Sequence, residues 1–348
     1  MKKNLIDKLS TRHFLDHGEW VQLISGHTEE DTAYAGGLAR EITLDRFGKR
    51  IWFRGIIEFS NYCGCGCLYC GLRGPNTRAE RYRLTDEDIL ESCEAGFRLG
   101  YRTFVLQSGE DPHNTDEWLT GIVKRIKASY PDCAVTLSVG ERSRSSYEAL
   151  YASGADRYLL RHEAASPELY AKLHPARQTL QNRMRCLKDL KEIGFQTGAG
   201  MMVGVPYQTA VDLAADMEFM AGFGPAMIGI GPFIPHHQTP FAAFPAGNTD
   251  MTLFLLSLCR IMLPEVLLPA TTALGTTESS GRVLGVLAGC NVIMPNLSPL
   301  SVRKKYMIYD NKAGTGDDPA SGLRKLREQM DSIGYEVVVS RGDYGSKE

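Results

Sequence analysis

The chain has 348 residues, with 39 Lys and Arg against 41 Asp and Glu and a formal net charge of -2. That length can bury a large core, as one large α/β domain or two smaller ones, and the near-neutral balance gives no general electrostatic reason to bind nucleic acid or an anionic membrane. Nine cysteines without a paired framework point to a reducing compartment, here the cytoplasm. The segment Met1 to Lys8 lacks the apolar run of a signal peptide. The most apolar stretch, 252–270, is interrupted by Arg260, Pro264 and Glu265, so it is not a membrane span.

Residues 1–48 read as a polar helical cap. After them, short β-branched runs alternate with helical patterns, and the expected strands are 51–58, 103–107, 134–139, 157–163, 196–203, 227–233, 266–272 and 291–295. Between them, Thr85 and Asp88 form a capping-box signal. Ile89, Leu90, Cys93 and Phe97 follow on one face, and Gly100 can end that helix. Leu119, Ile122, Val123 and Ile126 repeat at helical spacing, as do Leu187, Leu190 and Ile193 before Gly194. Strands alternating with helices imply parallel pairing with covered faces. Eight such units favour an α/β fold of the closed (β/α)8 TIM type, with the barrel over 49–310, a helical extension and tail over 311–348, and a frayed end from Ser340.

The loop after the first strand reads Cys63-Gly64-Cys65-Gly66-Cys67-Leu68-Tyr69-Cys70. Cys63, Cys67 and Cys70 have the spacing C-x3-C-x2-C. Three thiolates hold three irons of a four-iron, four-sulfur cluster and leave one open, whereas purely electron-transferring clusters are usually capped on all four. This loop resembles that of the radical S-adenosylmethionine (SAM) enzymes, in which SAM chelates the open iron. A structural zinc is the rival reading, but zinc motifs usually pair two separated CxxC units, and no second pair is present. Positions 63, 67 and 70 would also share a helical face; Gly64 and Gly66 argue against a helix. Cys65 falls outside the spacing and reads as a non-ligand neighbour.

In such a barrel the site lies at the carboxyl ends of the strands. The second strand ends in Gln107, Ser108, Gly109 and Glu110, where backbone carbonyls and a carboxylate could meet the SAM ammonium group; an ordinary turn is the plainer reading. The fourth strand ends in Arg161, His162 and Glu163. Alternation puts Arg161 and Glu163 on one face. Charges pointing into a barrel need a reason, either a structural ion pair or a ligand, with Glu163 on SAM and Arg161 on an anionic substrate. His162, on the other face, reads as a satisfied histidine beneath the helices. Arg183 could fork onto the SAM carboxylate or be a solvated helix residue. The small apolar fifth strand with Met202, and Tyr69 beside Cys70, suit a flat adenine. Ser138, Thr271, Thr272 and Thr276 offer hydroxyls to a ligand or to local carbonyls. Tyr306 is placed to close the cavity. His236 and His237 tempt as metal ligands, but adjacent side chains in an extended loop point apart.

Several blocks carry a closer resemblance: Ile56 to Asn61 with the cysteine loop and Gly71-Leu72-Arg73, Leu106 to Pro112, Ala155 to Glu163, Gly229 to His236, Pro269 to Ala273 and Asn291 to Asn296. They are similar to the HydE family of [FeFe]-hydrogenase maturases. The resemblance covers roughly 50–310. It implies a full barrel with one [4Fe-4S] cluster, SAM and an internal cavity. The implied substrate is an iron–cysteine complex carrying carbon monoxide and cyanide, converted during assembly of the hydrogenase di-iron subcluster. Arg161, Thr271, Thr272 and Tyr306 fall where the family contacts cavity ligands. The implied partners are the tyrosine-cleaving radical SAM maturase HydG, the GTPase scaffold HydF, and a reductant such as ferredoxin or flavodoxin. Some members carry three further cysteines for a second cluster; here no cysteine follows Cys290, so no second cluster is expected. A methylornithine synthase on the same barrel is the nearest rival. A biotin-synthase-like enzyme would need a second cluster, and a non-catalytic zinc scaffold is the rival from another class.

Overall fold

The computed structural model describes residues 2–346; Met1, Lys347 and Glu348, on which parts of the leader and tail readings fall, lie outside them. Three helices come first, α1 (Lys3–Arg12), α2 (His17–Ile24) and α3 (Glu29–Phe47). They are followed by β1 (Arg50–Phe53), β2 (Gly55–Ser60), α4 (Asp86–Arg98), β3 (Thr103–Ser108), α5 (Asp116–Ser129), β4 (Ala134–Ser138), α6 (Arg144–Ala152), β5 (Arg157–Leu159), α7 (Pro167–Leu173) and α8 (Leu180–Ile193). The second half contains β6 (Gln196–Ala199), β7 (Met202–Val203), α9 (Ala210–Phe223), β8 (Met227–Ile228), β9 (Gly231–Pro232), α10 (Thr249–Met262), α11 (Thr272–Thr277), α12 (Gly281–Leu287), β10 (Val292–Ile293), α13 (Leu300–Arg303), α14 (Pro319–Ser332) and β11 (Glu336–Val338). Reciprocal capping boxes open α2, α3, α4 and α9, because a Thr or Asp three residues before a carboxylate satisfies two orphan amides at once. No described helix is long and apolar enough to cross a membrane.

Six strands pair in parallel in the order β2-β3-β4-β5-β6-β8. The ring then closes. Met227 bridges Leu267, Pro269 bridges Val292, and Ile56 bridges Asn296. Ile56 N donates to Pro295 O at 2.8 Å, and Leu297 N donates to Ile56 O at 2.7 Å. The segment 266–270 is thus the seventh stave and 291–296 the eighth. Helices cover the outside, with buried apolar stripes such as Leu119, Ile122, Val123 and Ile126 on α5. On α4 the buried face is Ile89, Ser92, Cys93 and Gly96; Phe97 is exposed and packs on Tyr130.

Several expected strands end early. The fourth stops at Leu159, the fifth and sixth are each split in two, and the seventh ends by Ala270, with α11 beginning at Thr272. All these breaks lie at the carboxyl ends, where ladder geometry gives way to site-lining loops. The expectation of a frayed end from Ser340 is overturned for 340–344, which plug the floor of the barrel. Trp52 Nε1 donates to Ser340 Oγ at 2.9 Å, and Arg54 Nη2 donates to Gly342 O at 3.0 Å. Arg157 Nη2 donates to Arg341 O at 2.9 Å and to Asp343 Oδ1 at 2.6 Å. Two buried guanidiniums inside the barrel need acceptors, and this segment supplies them.

Candidate active site

Residues 61–67 form no helix, and three neighbouring segments tether the cysteine loop. Gly64 N donates to Glu110 O at 2.8 Å, Leu68 N to Leu173 O at 2.9 Å and Gly71 N to Ile308 O at 3.0 Å. The turn after β3 fits against it so closely that a Cβ on Gly109 would lie 2.3 Å from Tyr62 O and 2.6 Å from Cys63 Cβ. Gly109→Ala is therefore expected to displace the loop at a cost of about 1–3 kcal/mol. Iron content after anaerobic reconstitution should fall while far-UV circular dichroism stays unchanged.

The four thiols are not equivalent. Cys63 is lowered to about 7, first by its hydrogen bond with Cys65; burial pushes Cys67 up to about 11 and raises Cys70 as well. Cys65 is pushed up most, by holding that bond and then by burial, so it keeps its proton beside Cys63.

Around the barrel mouth the expected residues divide. Glu110 turns towards the loop, its Oε1 accepting from Glu141 N at 3.0 Å. Gln107 faces inward, its Nε2 donating to the buried Tyr306 hydroxyl at 3.3 Å, and Ser138 stands beside it in register. Ser108 faces the other way, occupied by Gly109 O at 2.7 Å and Asn114 Nδ2 at 2.9 Å, so only its backbone is available. Tyr69 and Met202 share one apolar cluster with Tyr170 and Phe233. Tyr69 is held by His174 Nε2 at 3.1 Å; burial lowers His174 to about 4, and its Nδ1 faces Tyr170 O at 3.0 Å, so Nε2 is free to accept the phenol proton. Arg183 is buried rather than solvated. Its Nε donates to Glu141 Oε1 at 2.6 Å and its Nη1 to Arg161 O at 2.6 Å.

Glu163 adopts φ of 67°, a left-handed conformation that costs an L-residue roughly 1–2 kcal/mol. Its N–H donates to Gly200 O at 3.1 Å. Arg161 Nη2 approaches Glu163 Oε2 to 3.2 Å. Both atoms nevertheless remain buried without a hydrogen bond, as do Arg161 Nε and Thr271 Oγ1, because the approach is poorly aligned with the N–H. Groups of this kind normally find partners, so a donor pair, a carboxylate oxygen and a hydroxyl are available to a ligand here. Thr271 is the N-cap of α11 without making a cap bond, and Thr272 begins that helix. Thr276 Oγ1 donates to Thr272 O at 2.9 Å and accepts from Ala313 N at 3.0 Å. His162 lies beneath α9, its Nε2 3.1 Å from the buried Asp216 Oδ1.

One feature was missed in the sequence and a second was misjudged. Glu58 forms a buried ion pair with Lys312 and accepts from Asn296 Nδ2 at 2.7 Å; Lys312 also donates to Tyr306 O at 3.2 Å. A charge within the apolar run Ile56 to Phe59 is the same signal that marks Arg161, whereas Lys312 lies in a loop with no periodicity. The second is His236 and His237, which do not point apart. Their rings stack with centroids 4.7 Å apart, and with Asp310 their ligand atoms lie within 4.8 Å. The chain turns there, with Thr239 N donating to His236 O at 3.0 Å. Gln238 N donates to His236 Nδ1 at 3.1 Å, so Nε2 carries the proton and faces Asp310, which also accepts from His237 Nδ1 at 2.7 Å. The trio forms a hydrogen-bonded cluster whose ligand atoms are close enough to one another to hold a metal ion.

Comparison with known proteins identifies the family. The family model described as the radical SAM superfamily matches residues 57–220. The chain is 48% identical over 275 residues to the [FeFe] hydrogenase maturase subunit HydE of Thermotoga maritima, covering 79% of this chain and 78% of that protein. It is 27% identical over 326 residues to the 3-methylornithine synthase of Methanosarcina barkeri, covering 93% and 91%. Among solved structures, that of methylornithine synthase (PylB) superposes with a TM-score of 0.83 at 25% identity, covering 96% of this chain and 97% of the other. The maturase HydG from Carboxydothermus hydrogenoformans shares the fold, with a TM-score of 0.78 at 20% identity, covering 96% and 79%. With four cysteines on one loop after β2, and with identity this high over most of its length, the chain belongs to the HydE family of radical SAM enzymes, which use a [4Fe-4S] cluster and SAM.

Proposed function

We propose that this enzyme acts in [FeFe]-hydrogenase maturation, cleaving SAM and directing the resulting radical at an iron–cysteine complex that carries carbon monoxide and cyanide. When bound, the cluster supplies the electron that splits the SAM sulfonium to a 5′-deoxyadenosyl radical. Cys63, Cys67 and Cys70 would hold it as its only protein ligands. Glu110, Gly109, the backbone of Ser108, and Glu163 would receive SAM, with Tyr69 and Met202 against its adenine. Arg183 positions this set through Glu141 and the Arg161 carbonyl. Gln107, at the end of β3, would face SAM, and Arg161, Ser138, Thr271, Thr272 and Tyr306 would line the substrate space.

The observation that carries the reading is the pair of unsatisfied buried charges at the carboxyl end of the fourth strand, Arg161 and Glu163, 3.2 Å apart, with Thr271 Oγ1 also unsatisfied at the start of α11. A cyanide-bearing anion would supply acceptors to the guanidinium and the hydroxyl, each charge-assisted bond contributing about 1.5–3 kcal/mol. A single cluster is the reading for this chain, since no cysteine follows Cys290 and the cysteines outside the loop are buried. The barrel over 49–310 would carry the chemistry, with 1–48 as cap and 311–348 as extension. HydG, HydF and a ferredoxin or flavodoxin are the proposed partners, and the cytoplasm, where nine free thiols are kept reduced, the proposed location.

Anaerobic reconstitution followed by SAM turnover tests this directly. The expected result is about four irons per chain, a SAM-dependent spectral change and turnover stimulated by an iron–cysteine complex. Stimulation by lysine instead would favour a methylornithine synthase. Arg161→Leu should spare uncoupled SAM cleavage and lower maturation roughly 10- to 100-fold, the loss of one charge-assisted bond. Cleavage and maturation falling together would assign Arg161 to the SAM site or the fold.

A further inference from the structure

His236, His237 and Asp310 take no part in the proposed chemistry, yet they meet where two segments join. The histidines stand in the loop after β9, and Asp310 stands between α13 and α14. Asp310 N donates to Pro235 O at 3.1 Å, and its Oδ2 accepts from His237 N at 2.8 Å. His236 is 5% exposed and is seated against the cysteine loop so closely that a Cβ on Gly71 would collide with its ring. Asn76 Nδ2 donates to Gln238 Oε1 at 3.0 Å and fixes the same turn. His236 Nε2 stops 3.8 Å short of Asp310 Oδ1, beyond hydrogen-bond distance. Among the described residues no lysine or arginine pairs with Asp310, so its charge is left to the two imidazoles.

Two imidazoles and a carboxylate, with ligand atoms within 4.8 Å of one another, are a donor set that first-row divalent cations take with positions left for water. Imidazole nitrogen favours zinc or ferrous iron over magnesium and calcium, which prefer oxygen. The exposed His237 ring can leave its stack with His236 and turn Nδ1 to an ion, its proton passing to Nε2 on the solvent side. His236 would ligate through Nε2, its proton moving to Nδ1 and freeing the Gln238 amide, a loss that keeps the affinity modest. We propose that His236, His237 and Asp310 form a second metal site, for a borderline divalent cation such as zinc, that fastens residues 304–313 to the loop after β9. The fastened segment carries Lys312, which pairs with Glu58, and Tyr306, whose hydroxyl meets Gln107 inside the barrel. The proposal stands apart from the proposed function, because it requires neither SAM nor its cleavage.

The test titrates zinc by calorimetry into the anaerobic cluster-loaded enzyme, whose ligand cysteines are already committed to iron. The parent should bind one zinc. His237→Ala and Asp310→Asn should each weaken that binding by at least about tenfold, since even outer-shell partners are worth that much. Magnesium should give no binding heat. Zinc should also slow amide exchange across 304–313 in the parent and in neither variant. A parent without a zinc isotherm, variants that bind as the parent does, or exchange that ignores zinc would each overturn the proposal. So would zinc taken up at the expense of cluster iron equally in parent and variants, which is exchange at the cysteines.

Discussion

Replacing Cys63, Cys67 or Cys70 by alanine should abolish SAM cleavage and strip most of the iron, while Cys65→Ala should keep both. The distinction is physical. Cys65 is buried and its proton is held by burial and by the neighbouring Cys63 sulfur, so it is poorly suited to deliver a thiolate to iron. Cys63 is the thiol most readily ionised of the four, and Cys67 and Cys70 ionise once metal supplies the countercharge. Iron analysis and deoxyadenosine release after identical reconstitution decide the matter. Equal loss at Cys65 would mean that the register of the ligand set is wrong.

Asp343→Ala should destabilise the fold by about 3–5 kcal/mol, read as a shift in the urea midpoint. Its carboxylate is the one that pairs with Arg157, and Arg157 is 1% exposed at the side chain. Removing it leaves a guanidinium in the floor of the barrel with Arg54 close enough to repel it. The neighbouring arginines hold Asp343 at about 2, against an unfolded value near 3.9. A depressed carboxylate stabilises above its unfolded value and loses that contribution as pH falls through the folded one. The parent should therefore lose about 2 kcal/mol between roughly pH 4 and pH 2, and the variant should lack that component.

The closed barrel was legible because eight β-branched runs alternate with capped helices, and the cysteine spacing located the loop. Arg161 and Glu163 were legible as charges at a strand end that should be apolar. Strand lengths were not. Backbone that leaves the ladder to line a cavity keeps the same residue types, so Thr271 looks like strand but caps α11. The role of residues 340–344 was hidden because the segment is polar, and its burial depends on Arg54 and Arg157, nearly three hundred and two hundred positions away. Arg183 shows the remaining limit: its helix was readable, but whether it meets a ligand or Glu141 depends on a loop packed across from it.

The barrel wall is uneven in stiffness. β2, β3 and β4 run unbroken for five or six residues each, whereas the fifth and sixth staves are each broken in two and the eighth holds only the two residues of β10. Interrupted ladders make that arc the softer one, with local opening at lower free energy. A guest would enter by deforming the soft arc, while the rigid arc keeps the cysteine loop in place.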